Sequence, residues 1–542
     1  MIDPVFNSRR SPVYGRRGIV ATSQPLATAA GLEILSKGGN AADAAVAAAA
    51  ALNVTEPTST GIGGDMFALY FDAQTKQVTA LNGSGRAPAA LTIDRLKNEG
   101  LLADELPPYH AYTVTVPGAC AGWCDLIEKH GSRSMAEILA PAIRLADEGF
   151  PVAPLTSYFW ARGVEKQLSS SLNGRELTID GRAPYAGEIF RNPGLAKTLS
   201  VIARENKQGF YQSQIAEAIA GVIKEAGGCL SEDDLASHVS TWEAPISVNY
   251  RGYRVHECPP NGQGITALIA LNILEGFDLS SLPALSTKRL HLLIESMRLA
   301  FADARWYVAD PAFSKIPIEE LLSKEYAKER RKLIDRKHAN IEPQRGMPVA
   351  SSNTVYLSVV DGFGNACSFI NSNYMGFGTG IVPKGWGFSL QNRGHNFSLD
   401  PAHPNALAPR KRPYHTIIPA MVTRESDNSL FAAYGVMGGF MQPQGHVQVL
   451  SALVDNGLDP QAALDLARFC IDVEEAGGGV AIEEGMPKKI INALIKMGHP
   501  IYEVAGYERA LFGRGQVILR DAETGVLCAG SDPRADGCAM TL

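Results

Sequence analysis

The sequence predicts a layered fold of helices packed on sheet, of the α/β or α+β class, and three observations carry that expectation. An Ala-rich run after Asn40, "AADAAVAAAAALNV", presents a near-continuous small apolar surface that calls for a flat partner. Runs rich in β-forming residues occur in pairs, each pair joined by a short polar loop, as in hairpins. The middle third carries long helical patterns and reads as mainly helical.

Taken in order, the first element is "SQPLATAAGLEILSKGGN". Ser23 is the expected cap, Pro25 fits the first turn, and Gly38 to Gly39 supply the stop. Asn40 then opens the Ala-rich helix. A Gly-rich turn, "TGIGGD", leads into "MFALYFD" and "QVTALNG", a hairpin across Ala73 to Lys76. The turn precedes a strand and matches neither phosphate-binding glycine pattern, so it is not read as a nucleotide site. A long helix is expected within Thr287 to Pro311. From Leu321 a charged helix gives way to an exposed linker that ends at Asn353. Then comes "TVYLSVVDGFGNACSFINS", two β-rich runs around a loop of Asp, Gly and Asn. "GQVILRDAETGVLCAGSD" repeats that pattern near the C-terminus.

With 542 residues, 45% hydrophobic and 20% charged, the chain can bury a sizeable core, either as a few domains or as one interwoven unit. A net charge of −6 and the lack of a basic field argue against nucleic acid. The opening "MIDPVFNSRRSPVYGRRGIVATS" has arginines with no apolar stretch behind them, so a cytoplasmic protein is expected. Ala41 to Leu52 falls short of the roughly 20 residues of a bilayer span, so no membrane partner is expected. The eight cysteines are scattered. Cys120 and Cys124 share a helical face and His256 neighbours Cys258, but neither pair has further ligands at metal spacing, and neither a metal nor a cofactor is expected.

By itself, a threonine after a linker is a β-former at a boundary. Here the whole chain resembles the γ-glutamyltranspeptidase family. The likeness runs in order through "GGNAADAAVAAAAALNVTEPTSTGIGGD", "VTVPGACAGW", "PPNGQGITALIALNILEGFDL", "ESMRLAFADARWYVADP", "TVYLSVVDGFGNA" with "MGFGTGIV", "GVMGG" and "SDPRADG". The resemblance implies an N-terminal nucleophile hydrolase with a four-layer αββα sandwich. It also implies a proenzyme cut into a large chain, 1–353, and a small chain, 354–542, interwoven as one structural domain. Asn353 and Thr354 are then the cleavage site, and a homo-oligomer is compatible with the pattern.

Cleavage would give Thr354 a free α-amine with a reference pKa of about 7.7–8.0, so that one residue supplies nucleophile and base. Gly438 and Gly439 match the family's oxyanion-hole glycines, and loss of one such donor typically costs about 10²–10³ in rate. Ser372 matches a hydroxyl residue that bonds the nucleophile.

The substrate-binding pattern departs from the family. Its arginine is replaced by Ser84 in "NGSGRAP", with Arg86 two residues later as the candidate for a carboxylate. Its paired aspartates become His395 and Asn396 in "QNRGHNFS", and its serine pair becomes His415 and Thr416 in "RPYHT". A site with Arg and His but no aspartate should prefer an anionic acyl group without an α-amine. That resembles the oxamate amidohydrolases of cytoplasmic purine breakdown, and the expected reaction is oxamate to oxalate plus ammonia. A glutathione hydrolase or γ-glutamyltransferase, and an uncut non-enzymatic relative, are the alternatives.

Overall fold

A computed structural model describes residues 10–101, 105–341, 354–472 and 478–542. Two seven-stranded sheets lie face to face. In the first, the order is Val13–Gly15, Leu527–Ser531, Arg514–Arg520, Leu430–Met437, Ala420–Arg424, Tyr253–Glu257 and Ile246–Tyr250. In the second it is Cys538–Thr541, Gly18–Thr22, Val355–Asp361, Ala366–Ser372, Asp65–Asp72, Gln77–Gly83 and Thr241–Glu243. The helices Pro25–Ser36, Ala41–Thr55 and Ala119–His130 cover the second sheet, and Met135–Glu148 packs on the first two from outside. Gly264–Leu274, Met441–Asp455 and Pro460–Asp465 cover the first, and Thr287–Tyr307 packs on Gly264–Leu274 from outside. This is a four-layer αββα sandwich. Both sheets draw strands from before and after the linker, so the two halves of the chain share one core.

The Ala-rich helix spans Ala41–Thr55 and is buried along its whole length, wedged between sheet and helices. Asn40 and Asp43 close a capping box at its start, and the Asp361 carboxylate accepts the Ala41 N–H at 3.0 Å. Asp361 thereby ties the helix to the end of the Val355–Asp361 strand. The same side chain shapes the hairpin turn, accepting from Phe363 and Asn365 N–H at 2.9 and 3.0 Å, while Gly364 takes the positive φ of +90° that the turn requires.

Some expectations need correcting. The first helix begins at Pro25 as expected, but its cap is Gln24, whose Oε1 accepts from Leu26 N. Ser23 instead donates to buried Glu56 at 2.5 Å. The middle third also contributes the hairpin Ile246–Tyr250 and Tyr253–Glu257, which forms one edge of the first sheet. The long helix stops at Tyr307. The linker's last residues, including Asn353, lie outside the described residues.

Candidate active site

Strand register assembles the site. Val355 pairs with Asn371, so Thr354 stands at the head of its strand beside Ser372, and Ser372 pairs in turn with Asp65 on the next strand. Thr354 Oγ1 lies 3.2 Å from Ser372 Oγ. Ser372 Oγ accepts from the Tyr374 N–H at 2.9 Å and from Arg393 Nη2 at 3.2 Å. In the contact between the two hydroxyls either oxygen can donate. All three polar side chains are fully buried.

The glycine pair follows the Leu430–Met437 strand. Gly438 and Gly439 have φ of +134° and +60°, backbone angles that few other residues adopt. The Met441–Asp455 helix begins directly after them. Its first turn aims Gln442 Nε2 at Thr354 Oγ1, 3.4 Å away, while Gln442 Oε1 accepts from Ile418 N at 2.9 Å and so fixes which way the amide faces. Gln263 Nε2 donates to both Gly439 O and Thr416 O, at 2.9 and 2.7 Å, locking the glycine turn to the segment that carries Thr416.

Of the recognition residues expected from the sequence, the structure brings Thr416 into this network: its Oγ1 accepts from Arg393 Nη1 at 2.7 Å. His415 faces Asp65, donating from Nε2 to Oδ2 at 2.9 Å, while its Nδ1 accepts from Ile417 N. Burial pushes His415 down to about 3, so the ring stays neutral, and Asp65 is held below its usual range largely by that hydrogen bond and the nearby Arg393 despite its burial. His395 turns its Nδ1 to Leu106 O, and Asn396 donates to Tyr414 O. The Arg86 guanidinium donates to Val239 O, with Asp310 and Glu243 as its electrostatic neighbours, and makes no hydrogen bond to Thr354, Ser372 or Thr416.

Sequence reasoning missed Arg393, Gln442 and Asp65. Asp65 is a buried carboxylate at the site, but its oxygens already accept from Gly85 N, Gly118 N, Gln391 Nε2 and His415 Nε2. It holds together the loops that carry Gly85 and Gly118. Arg393 sat in plain view in "QNRGHNFS", one residue before the glycine.

Among the described residues, His291, Glu295 and His499 bring possible metal-ligand atoms within 4.8 Å of one another. They have other partners. His291 Nδ1 is hydrogen-bonded to His499 Nε2 at 2.8 Å, His291 Nε2 donates to Asp335 O at 2.7 Å, and Glu295 accepts from Asn340 N at 2.9 Å. Together they fasten the stretch ahead of the linker to the Thr287–Tyr307 helix.

A strand-head threonine inside an αββα sandwich defines the class, an N-terminal nucleophile hydrolase. A family model for gamma-glutamyltranspeptidase matches residues 27–542, and the chain belongs to that family. It is 38% identical over 98% of its length to the glutathione hydrolase-like YwrD proenzyme of Bacillus subtilis, covering 99% of that protein. It is 29% identical over 96% of its length to the oxamate amidohydrolase proenzyme of Klebsiella pneumoniae, covering 98% of it. The crystal structure of a cephalosporin acylase from Bacillus halodurans superposes with a TM-score of 0.92 at 47% identity, covering all of this chain and 99% of that one. The chain is therefore an enzyme of the self-processing amidohydrolase and transpeptidase group. No helix among the described residues is long and apolar enough to cross a membrane.

Proposed function

We propose that the protein is an autoprocessing N-terminal-threonine amidohydrolase for a small anionic acyl group that lacks an α-ammonium, with oxamate as the simplest substrate. One observation carries the choice of acyl group: both oxygens of Asp65, the carboxylate beside Ser372, are already engaged by N–H donors. Three of those donors crowd Oδ1 and His415 holds Oδ2, so a substrate ammonium would have to compete with them for the carboxylate. His395 and Asn396, at the positions where the family keeps aspartates, carry no negative charge.

In processing, Thr354 Oγ1 attacks the Asn353 carbonyl, the amide becomes an ester, and water opens it to give chains 1–353 and 354–542. In turnover, the freed α-amine takes the hydroxyl proton as Oγ1 attacks the substrate carbonyl. The oxyanion forms against the Gly438–Gly439 backbone. Collapse expels ammonia, which receives the proton back, and water hydrolyses the acyl ester by the same route.

A second reading, γ-glutamyl hydrolysis or transfer, is favoured by the name of the Bacillus subtilis relative. Intact mass, ammonia release from oxamate and γ-glutamyl-p-nitroanilide turnover together decide between them, with Thr354→Ala as control. We expect two chains split before Thr354, ammonia from oxamate, little anilide turnover, and an uncut, inactive control. Efficient anilide turnover with oxamate untouched overturns the reading.

A further inference from the structure

Arg393 is unlike the other buried arginines. Among the described residues eight arginines are buried. Seven, Arg289, Arg298, Arg412, Arg468, Arg509, Arg514 and Arg534, have a carboxylate oxygen within 4.0 Å. Arg393 makes no ion pair with any described residue. Its Nη1 and Nη2 donate to the hydroxyls of Thr416 and Ser372, its Nε has no hydrogen-bond partner, and its guanidinium lies 4.4 Å from the centre of the Tyr374 ring. Asp65, the nearest acidic influence on it, is occupied as described.

A fully buried guanidinium bonded only to neutral groups is expensive, because desolvating an ion costs several kcal/mol unless an opposite charge compensates. Burial pushes Arg393 down to about 10, still well above neutrality, so it is a cation at working pH. Among the described residues the fold places hydroxyls and an aromatic face against it, with Asp65 acting only from beyond ion-pair distance, so a further anion is favoured there. Its position says where the anion belongs: Nη2 stands two hydrogen bonds from the nucleophile, through Ser372, each 3.2 Å long. A group held there is attached to the acyl side of the scissile bond and lies close to it.

We infer that Arg393, supported by Thr416, is the receptor for a carboxylate on the acyl group, and that this pairing makes the enzyme selective for monoamides of short dicarboxylic acids. The inference rests on the amidohydrolase reading above and supplies its missing specificity residue. Arg393 takes the part that the sequence had suggested for Arg86. The competing role for the same guanidinium is stabilisation of the tetrahedral oxyanion, and the two roles differ in what they demand of the substrate. A carboxylate receptor matters only when the substrate has a carboxylate, whereas an oxyanion donor matters for every amide.

The test compares processed wild type with Arg393→Lys and Arg393→Gln on the ω-amides oxamate, malonamate, succinamate and glutaramate, and on the methyl ester of whichever acid turns over best. Self-cleavage before Thr354, read by intact mass, reports that each variant has folded. We expect Arg393→Gln to lose about 10²- to 10³-fold more in kcat/KM on the acids than on the ester, the excess mostly through KM, with Arg393→Lys in between because it keeps the charge but not the planar fork. Equal losses on acid and ester, or an unchanged preference for acids in Arg393→Gln, would overturn the inference. If wild type ignores all four acids and hydrolyses γ-glutamyl anilide, the amidohydrolase reading has failed on its own account. Arg393 is then judged on γ-glutamyl anilide against 4-aminobutyryl anilide, which lacks the carboxylate: loss confined to the former supports the receptor, and equal loss overturns it.

Discussion

Two buried arginine sites in this molecule have opposite characters. Under the C-terminal segment, Arg534 and Arg468 meet Asp532 at 3.0 and 2.8 Å, and Arg509 and Arg534 both grip Glu483. Glu483 and Asp532 are held below the usual carboxylate range by those arginines, and Arg534 is pushed up by the two carboxylates. Beside Thr354, Arg393 is pushed down by burial, with no carboxylate of the described residues within ion-pair distance. Where the fold supplies both signs the charges act as cement, and where it supplies one sign the other is expected to arrive with a ligand. A buried ion therefore says little about function until its partners are counted.

The sharpest way to break that comparison is to remove each arginine in turn. Arg534→Met strands Glu483 and Asp532 in the interior with fewer counter-charges, and breaking a buried pair in this way costs about 3–5 kcal/mol. Arg393→Met breaks no ion pair and removes only a more distant charge from Asp65, which its N–H donors already hold, so it should cost no more than about 1 kcal/mol, the scale of lost hydrogen bonds to two hydroxyls. Urea midpoints of the processed proteins measure both. Equal destabilisation would mean that Arg393 is cement as well, with a protein counter-charge to match.

A smaller effect comes from acid. His415 is held near 3 by burial, against about 6.5 in an unfolded chain. Between those values the unfolded state carries the proton and the folded state does not, so stability falls as pH falls from about 6.5 toward 3, by about 1.4 kcal/mol per unit for this group. His415→Gln should remove that much from the slope of stability against pH, measured by urea unfolding between pH 6 and 4. An unchanged slope would show that the ring is protonated against Asp65 in the folded protein, and the site would then hold one more positive charge than the neutral ring allows.

How much of this was legible in the sequence depends on whether a feature is local. The Val355–Asp361 and Ala366–Ser372 hairpin was readable because β-forming runs and an Asp-Gly loop are nearest-neighbour signals, and the structure uses Asp361 and Gly364 for that turn. The Ile246–Tyr250 hairpin was not, since it is short, half-buried and set among helices, and its pairing is decided by a sheet edge formed largely by distant chain. Ser23 lost its capping role because Glu56, 33 residues away, takes its hydroxyl. The "SDPRADG" segment stood out as a family marker, yet Asp532 and Arg534 belong to the ion network far along the chain from Thr354. Arg393 could be found only by asking which arginine lacks a carboxylate, and that question needs coordinates. That the Arg86 side chain ends against Val239 O was hidden for the same reason: proximity in sequence to a glycine turn says nothing about where a long side chain ends.

Gln442 offers the smallest and most specific test, because it touches Thr354, the proposed nucleophile, without carrying charge. Its Nε2 reaches Thr354 Oγ1 at 3.4 Å, a long hydrogen bond, and its Oε1 is tied to Ile418 N at 2.9 Å. Gln442→Met keeps the volume and removes both bonds. Loss of the donor should lower kcat about 10-fold with KM little changed, since a bond of about 1.4 kcal/mol to the attacking oxygen orients it without gripping the substrate. Loss of the acceptor leaves the Ile418 N–H buried and unpaired, at about 1–3 kcal/mol of stability. The two losses separate in one experiment: steady-state kinetics on processed enzyme reports the first, a urea midpoint the second. A variant that is less stable but fully active would remove Gln442 from the chemistry. The attacking oxygen would then be oriented by Ser372, and by Arg393 only through it, which would couple the charge that selects the substrate to the hydroxyl that attacks it.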